Sequence, residues 1–424
     1  MTILLFVVFL LLLIFGFPVA FALGLSSFVF ILFSDLPFIV IPQKMYAGLD
    51  VFVLLSIPGF ILAGNLMNAS GITNRIIQLC NALFGHIRGG LGLANVGASM
   101  LFGGISGTAI ADTASIGSVM IPAMEKEGYD TDFSCAVTAT SSTIGPIIPP
   151  SLPMIIAATL TGLSVGKLFI AGIVPGLLLG MGLMLVTYII SVKKKYPKKE
   201  RVPFLQMAKS FYQAFWAILM TLLILFGIIG GVFTPTEASI VAVVYAMGLG
   251  LFVYGELKLR MIPKIILESA KMTASLMVLV GFANLFAWIM TVEEIPQLIA
   301  QSLLNITENK ILLLLLINLL LLFVGAFMET IASLLILFPV LLGVAVHIGV
   351  DPIQFAMIMV MNLVIGLTTP PVGVCLFVAS SIGKIPMEKI AKAGVPFLLV
   401  SLFVLLLVTF VPGISLFLPS LFYD

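Results

Sequence analysis

The sequence predicts an all-α polytopic membrane fold built as two inverted repeats, each carrying a re-entrant helical hairpin and a broken helix. Three observations lead there: a composition too apolar for water, twelve apolar runs divided evenly by one charged linker, and Lys and Arg gathered on one side of the resulting topology. Of the 424 residues, 61% are hydrophobic and 9% charged, against roughly 45–50% and 25% in soluble domains. Mean hydropathy is +1.27. At roughly 20 apolar residues per membrane helix, the chain holds about ten to twelve membrane elements. A formal net charge of +2 excludes a nucleic-acid binder that works by neutralising phosphates. Cys80, Cys135 and Cys375 lie in apolar or weakly polar stretches and form no disulfide framework. The start, Met1 to Phe15, lacks a basic leader and a small-residue cleavage site, so it reads as a retained segment.

Punctuated by Gly, Pro and charge, the runs fall at about 3–16, 18–33, 51–68, 91–124, 133–162 and 168–192. They resume at about 215–233, 236–254, 274–291, 311–346, 353–383 and 394–418. Between the sets lies Lys193-Lys194-Lys195-Tyr196-Pro197-Lys198-Lys199-Glu200-Arg201. The expected units are therefore a first repeat over 1–192, a basic cytoplasmic linker over 193–210 and a second repeat over 211–424. An amphipathic stretch from Ile72 to Phe84, flanked by Arg75, His86 and Arg88, reads as an arm along the inner interface, with its counterpart at about 295–306.

The halves match in order. At an offset of 221, Gly145-Pro146-Ile147-Ile148-Pro149-Pro150 meets Gly366-Leu367-Thr368-Thr369-Pro370-Pro371, and Gly128-Tyr129-Asp130 meets Gly349-Val350-Asp351. At 217, Asp112-Thr113 meets Glu329-Thr330 and Pro122 meets Pro339, which implies a four-residue length difference between Pro122 and Gly128. If 91–124 and 311–346 re-enter instead of crossing, each half crosses five times and the second is inverted. Seventeen of the 20 basic residues then lie inside, leaving Lys44, Lys167 and Lys310 outside, as the positive-inside rule requires.

Asp112 and Glu329 are conspicuous charges within apolar runs. A carboxylate at membrane depth must meet donors, a cation or a proton. Each therefore reads either as an ion ligand or as a cap and indirect support at a hairpin tip. The Pro-Pro pairs are more telling, because two prolines remove amide donors and end a helix. Matched helix breaks in two halves point to a transporter's binding site. Freed carbonyls and hydroxyls suit Na⁺ as coupling ion, and half-helix N-termini suit an anion. The candidate Na⁺ positions are Ser106, Ser142, Thr143, Gly145, Pro149, Gly325, Gly366, Thr368, Thr369 and Pro370. The candidate substrate positions are Gly104, Pro150, Ser151, Asn362 and Pro371.

Other classes fit less well. Gly104-Ile105-Ser106-Gly107 matches a serine-protease pattern, but that chemistry needs a nearby base, and His86 and His347 fall on opposite faces. No Gly-x-x-x-x-Gly-Lys-Ser/Thr phosphate loop is present. A passive channel does not call for interruptions in symmetric pairs.

At these motifs the chain resembles the large membrane subunit of tripartite ATP-independent periplasmic (TRAP) transporters. The strings are Phe15-Gly16-Phe17-Pro18-Val19-Ala20-Phe21-Ala22-Leu23-Gly24, Gly103 to Gly117, Ile148-Pro149-Pro150-Ser151, Phe233-Thr234-Pro235-Thr236-Glu237-Ala238 and Thr369-Pro370-Pro371-Val372-Gly373. The resemblance implies an elevator-type transporter in the bacterial inner membrane, similar in fold to the divalent-anion/sodium symporters. It further implies Na⁺ coupling, no organic cofactor and no enzymatic activity. The implied partners are a small four-helix membrane subunit, expected as a separate chain, and a periplasmic substrate-binding protein that delivers an organic anion. Family substrates include C4-dicarboxylates, sialic acids and related sugar or keto acids. The alternative is a sodium/anion symporter or channel-like permease without a capture protein.

Overall fold

In lipid, backbone amides and carbonyls must pair within their own segment, which leaves long apolar runs little choice but the helix. The computed structural model describes residues 2–34, 36–295, 298 and 309–423, with the side chains of all of these except 2 and 104–106. Among the described residues every regular element is helical, and eight helices are long and apolar enough to cross a membrane. The chain is an all-α polytopic membrane protein.

The first half contains α1 (Thr2–Ile14), α2 (Val19–Leu32), α3 (Val40–Leu49), α4 (Ser56–Ala69), α5 (Ile72–Phe84), α6 (Gly90–Ser106), α7 (Ala109–Lys126), α8 (Thr131–Ser141), α9 (Leu152–Thr161) and α10 (Val165–Lys193). The second contains α11 (Phe204–Ile229), α12 (Pro235–Gly248), α13 (Ile262–Val292), α14 (Lys310–Phe327), α15 (Thr330–His347), α16 (Pro352–Gly366), α17 (Val374–Gly383), α18 (Met387–Phe410) and α19 (Gly413–Tyr423). The expected arm at about 295–306 falls almost wholly outside the described residues.

Several boundaries differ from the sequence reading. Helix α3 fills a stretch that carries no long apolar run. Helices α11 and α13 start at Phe204 and Ile262, well ahead of 215 and 274, because their first turns are amphipathic helix and not loop. Hydropathy marks only the apolar part of such a helix. The linker accordingly ends at Pro203, which stands at the N-cap of α11. The last run is two helices, interrupted at Val411-Pro412.

The hairpins also correct the repeat register. Helices α7 and α15 have 18 residues each, are capped by Thr108 and Glu329, and end at Lys126 and His347. Caps and ends both differ by 221. The four-residue difference therefore lies ahead of the hairpins, and Asp112 is not the structural mate of Glu329. Matching by residue type paired two carboxylates that the helix starts place one turn apart.

Packing partners recur with the halves exchanged. Helix α4 lies on α12 as α2 lies on α13, and α7 meets α17 as α15 meets α9. Both helices of each hairpin pack on the helix that precedes the break, α8 in one half and α16 in the other. Helices α1–α4 and α11–α13 thus form one group, while the hairpins, broken helices, α10 and α18 form another. Helix α5 touches both, against α11 and α6.

Candidate functional site

Each hairpin tip is a short non-helical connection. Gly107 ends α6 at φ +63°, a backbone state that glycine enters without steric cost. Thr108 is extended, and its hydroxyl accepts the Ala111 amide at 3.4 Å. In the other half, the Glu329 carboxylate accepts the amides of Ile331 and Ala332 at 2.9 and 3.2 Å. Glu329 is thus an N-cap, where a negative group also meets the positive end of the helix dipole. Asp112 sits in the first turn of α7 and is wholly buried. Its carboxylate lies over Gly145, where an added Cβ would come within 2.5 Å of Oδ2.

In the first break α8 gives way to a 3₁₀ turn, Ser142–Ile144, and α9 restarts at Leu152. Ser151 caps α9 by accepting the Met154 amide at 3.3 Å, and its own hydroxyl donates to the Pro146 carbonyl. In the second break α16 ends at Gly366, and the Gly373 amide donates to Ala326 of the hairpin at 3.2 Å. The Pro149–Pro150 and Pro370–Pro371 peptide bonds are both cis.

Glycine lets each hairpin touch its break. A Cβ on Gly103 would lie 2.6 Å from the Gly145 Cα, and one on Gly366 would lie 2.4–2.8 Å from the Gly325 backbone. Gly107 sits beside Pro150 and Leu152. The structure therefore brings Gly145 and Pro150 to the first hairpin and Gly366 to Gly325 of the second. The hydroxyls of Ser142 and Thr143 donate to the Thr138 and Thr140 carbonyls at 2.7 and 2.6 Å. Those of Thr368 and Thr369 donate to Ile365 at 2.9 and 3.1 Å. With the proton committed to a carbonyl, the oxygen's lone pairs stay available.

The two breaks are not equally covered. Ser142, Thr143, Gly145, Pro149, Pro150 and Ser151 are buried, whereas Pro370 and Pro371 are exposed and Thr369 is intermediate. Asn362 is fully buried and donates from its side chain to Asn318 on α14, away from solvent. The side chain of Ser106, and the surroundings of Gly104, lie outside the described set.

Sequence reasoning missed Gly103, Gly107 and three polar residues that tie hairpin to broken helix. Asn95 donates to Thr138 at 2.6 Å and Ser99 to Ser141 at 2.9 Å, while Asn318 accepts from Asn362 on α16 and donates to Thr409 on α18 at 3.2 Å. The available signal was a polar side chain inside an apolar run, since such groups face the bundle interior.

Two clefts flank the returning hairpin helices. One, about 340 Å³, reaches Leu335 and Pro339 of α15 against Gly48, Asn284 and Trp288. The other, about 350 Å³, reaches Ala114 and Ser118 of α7 against Asn68 and Asn74. Leu335/Pro339 and Ala114/Ser118 differ by 221, so corresponding faces of the two hairpins border space. Among the described residues, no three His, Cys, Asp or Glu side chains could hold a metal together. The oxygens gathered at the breaks are carbonyls and hydroxyls, joined at the first break by the Asp112 carboxylate, a donor set for a hard cation.

A family model described as "Tripartite ATP-independent periplasmic transporter, DctM component" matches residues 6–414. The C4-dicarboxylate TRAP transporter large permease protein DctM of Pseudomonas aeruginosa is 43% identical, with 94% of each chain covered. The sialic acid TRAP transporter large permease protein SiaM of Vibrio cholerae is 41% identical, with 96% of each covered. The solved structure of Neisseria gonorrhoeae MtrF, from a class of antimetabolite efflux pumps, superposes with a TM-score of 0.63 at 12% identity over 94% of each chain, a likeness of fold. Matched over nearly its whole length by that model and by both permeases, the chain belongs to the DctM-component family of TRAP transporters, a family of transporter subunits and not of enzymes.

Proposed function

We propose that this chain is the large permease of a TRAP system and carries out Na⁺-coupled uptake of an organic anion across the bacterial inner membrane. A C4-dicarboxylate, a sialic acid or a related sugar or keto acid would be delivered by a periplasmic binding protein, with a small membrane subunit as companion. The observation that carries the reading is the recurrence, at an offset of 221, of a helix break packed through glycine against a hairpin. Each break runs from Gly145 or Gly366 to a Pro-Pro pair, with hydroxyls ahead of that glycine in one half (Ser142, Thr143) and behind it in the other (Thr368, Thr369). Ser142, Thr143 and Gly145 would hold one Na⁺, and Gly325, Gly366, Thr368 and Thr369 another, through hydroxyls and backbone carbonyls. Bound Na⁺ supplies positive charge at the breaks. The first turns of α9 and α17 add their amide dipoles, which favour an anion nearby. Hairpins and broken helices would move together against α1–α4 and α11–α13, as an elevator. The two clefts lie along that boundary and support the reading.

Proteoliposomes holding both membrane subunits should accumulate substrate only with capture protein and an inward Na⁺ gradient. Full uptake in K⁺ alone would sink the coupling. Full uptake without capture protein would favour a stand-alone symporter.

A further inference from the structure

We propose that the linker and the start of α11 form a binding site for an anionic phospholipid, whose phosphate headgroup sits over the groove between α5 and α11. The sequence from 193 to 209 holds seven basic residues and one acid, Glu200. Lys194 is tied to Asp130 and Lys199 to Glu127, while Lys195, Lys198, Arg201 and Lys209 are exposed. A groove of about 850 Å³ opens along the start of α11, where the linker ends, lined by Gln78 of α5 and by Gln206, Lys209, Ser210 and Gln213 of α11. Those side chains offer amide, ammonium and hydroxyl donors to phosphate oxygens.

Helix α11 adds a second attraction. It runs 26 residues from Phe204, with Pro203 as N-cap, no side-chain cap and no acid in its first turn. The N-terminus of a helix favours an anion, through free amides and the helix dipole. The choice of lipid over soluble phosphate rests on the neighbouring side chains. Phe204 and Leu205 are 78% and 83% exposed, and Tyr212 is 66% exposed. Apolar groups so placed beside a polybasic segment fit an acyl chain below a charged headgroup. Clusters of Lys and Arg next to a membrane helix attract anionic lipids. The site needs only that the linker borders the bilayer, so it stands apart from the transport reading.

The test uses the purified chain in bilayers containing spin-labelled phosphatidylglycerol or phosphatidylcholine, with label placed in both leaflets. The motionally restricted fraction should favour phosphatidylglycerol several-fold. Changing Lys195, Lys198, Arg201 and Lys209 together to Gln should bring the two lipids close to parity. The milder pair Arg201→Gln and Lys209→Gln should remove about half of the preference. The control set Lys384→Gln, Lys389→Gln and Lys392→Gln should leave it intact, and added salt should weaken it. The proposal is overturned if the folded quadruple variant keeps the full preference, if the control set abolishes it equally, or if soluble glycerol phosphate at millimolar concentration displaces the labelled lipid. It is also overturned if the small subunit, once bound, occupies this groove and removes the preference.

Discussion

Gly103, Gly145, Gly325 and Gly366 stand where hairpin and break meet, and none leaves space for a methyl group. Gly366 is the severest case, because its added Cβ would strike the Gly325 backbone, which cannot rotate away. Overpacking of this kind costs roughly 1–3 kcal/mol, and here it would also part the hairpin from its break. Gly366→Ala should therefore reduce uptake more than tenfold at unchanged membrane expression; normal uptake would remove the glycine contact from the mechanism. Thr143→Ala and Thr369→Ala remove single hydroxyls, at about 1–3 kcal/mol if the oxygen behaves as a buried hydrogen-bonding group. Each should raise the Na⁺ concentration for half-maximal uptake roughly tenfold, and unchanged Na⁺ curves in both variants would exclude these threonines as ligands. Glu329 has the geometry of a cap, so Glu329→Ala should cost about 0.5–2 kcal/mol of stability. Glu329→Gln, which keeps an accepting oxygen, should cost less. Asp112→Asn probes a different role, since its carboxylate lies on Gly145. A large loss of Na⁺ affinity there would identify a ligand, and preserved affinity would identify a support.

At the scale of elements, α5 is held at its start by one arginine. Arg75 donates to Glu256 at 2.7 Å and to the carbonyls of Ser70 and Gly71 at 3.2 and 3.0 Å, and it lies 4.0 Å from the centre of the Tyr254 ring. Arg75→Ala should speed hydrogen exchange across 72–84 several-fold, and Arg75→Lys should restore only part, because an ammonium lacks the planar fork. Exchange that stays at the wild-type rate would refute the anchor. The linker is fastened differently. The Lys194 ammonium, with the Tyr196 hydroxyl, holds the Asp130 carboxyl below the usual carboxylate range. A lowered folded value means stabilisation that is present above the unfolded value of about 3.9 and lost as pH falls through the folded one. The Asp130 contact should thus persist at pH about 5 and open only in stronger acid, as hydrogen exchange over 194–199 would report. Legibility at this scale follows the range of the forces involved. Pro-Pro pairs act on their own backbone, so both breaks stand where the residues place them. Helix α3 and the first turns of α11 and α13 lack an unbroken apolar run, and the Gly103–Gly145 contact joins residues that no local pattern connects.

For the whole molecule, the Lys and Arg distribution makes the most direct claim. Single cysteines replacing Glu127 and His347, in a background without the three buried native cysteines, should label from the cytoplasm and the periplasm respectively. Labelling of both from one side would refute the inverted arrangement. The 217 offset pairs Asp112 with Glu329 by residue type, whereas their three-dimensional register follows the helix caps. Such a register is visible only once the helix ends are known. The linker has one more consequence, which concerns distance. Lys199 is bound to Glu127, and its amide donates to Gly85 at 2.9 Å, so only residues 200–203 remain between that fastening and α11. Four extended residues reach about 14 Å. If α10 rides with the hairpins while α11 stays fixed, this short leash limits the vertical stroke to about that length. A longer excursion would first have to let go of Glu127 and Gly85, and deleting two residues from 200–203 should then leave a carrier that binds its cargo but stalls before release.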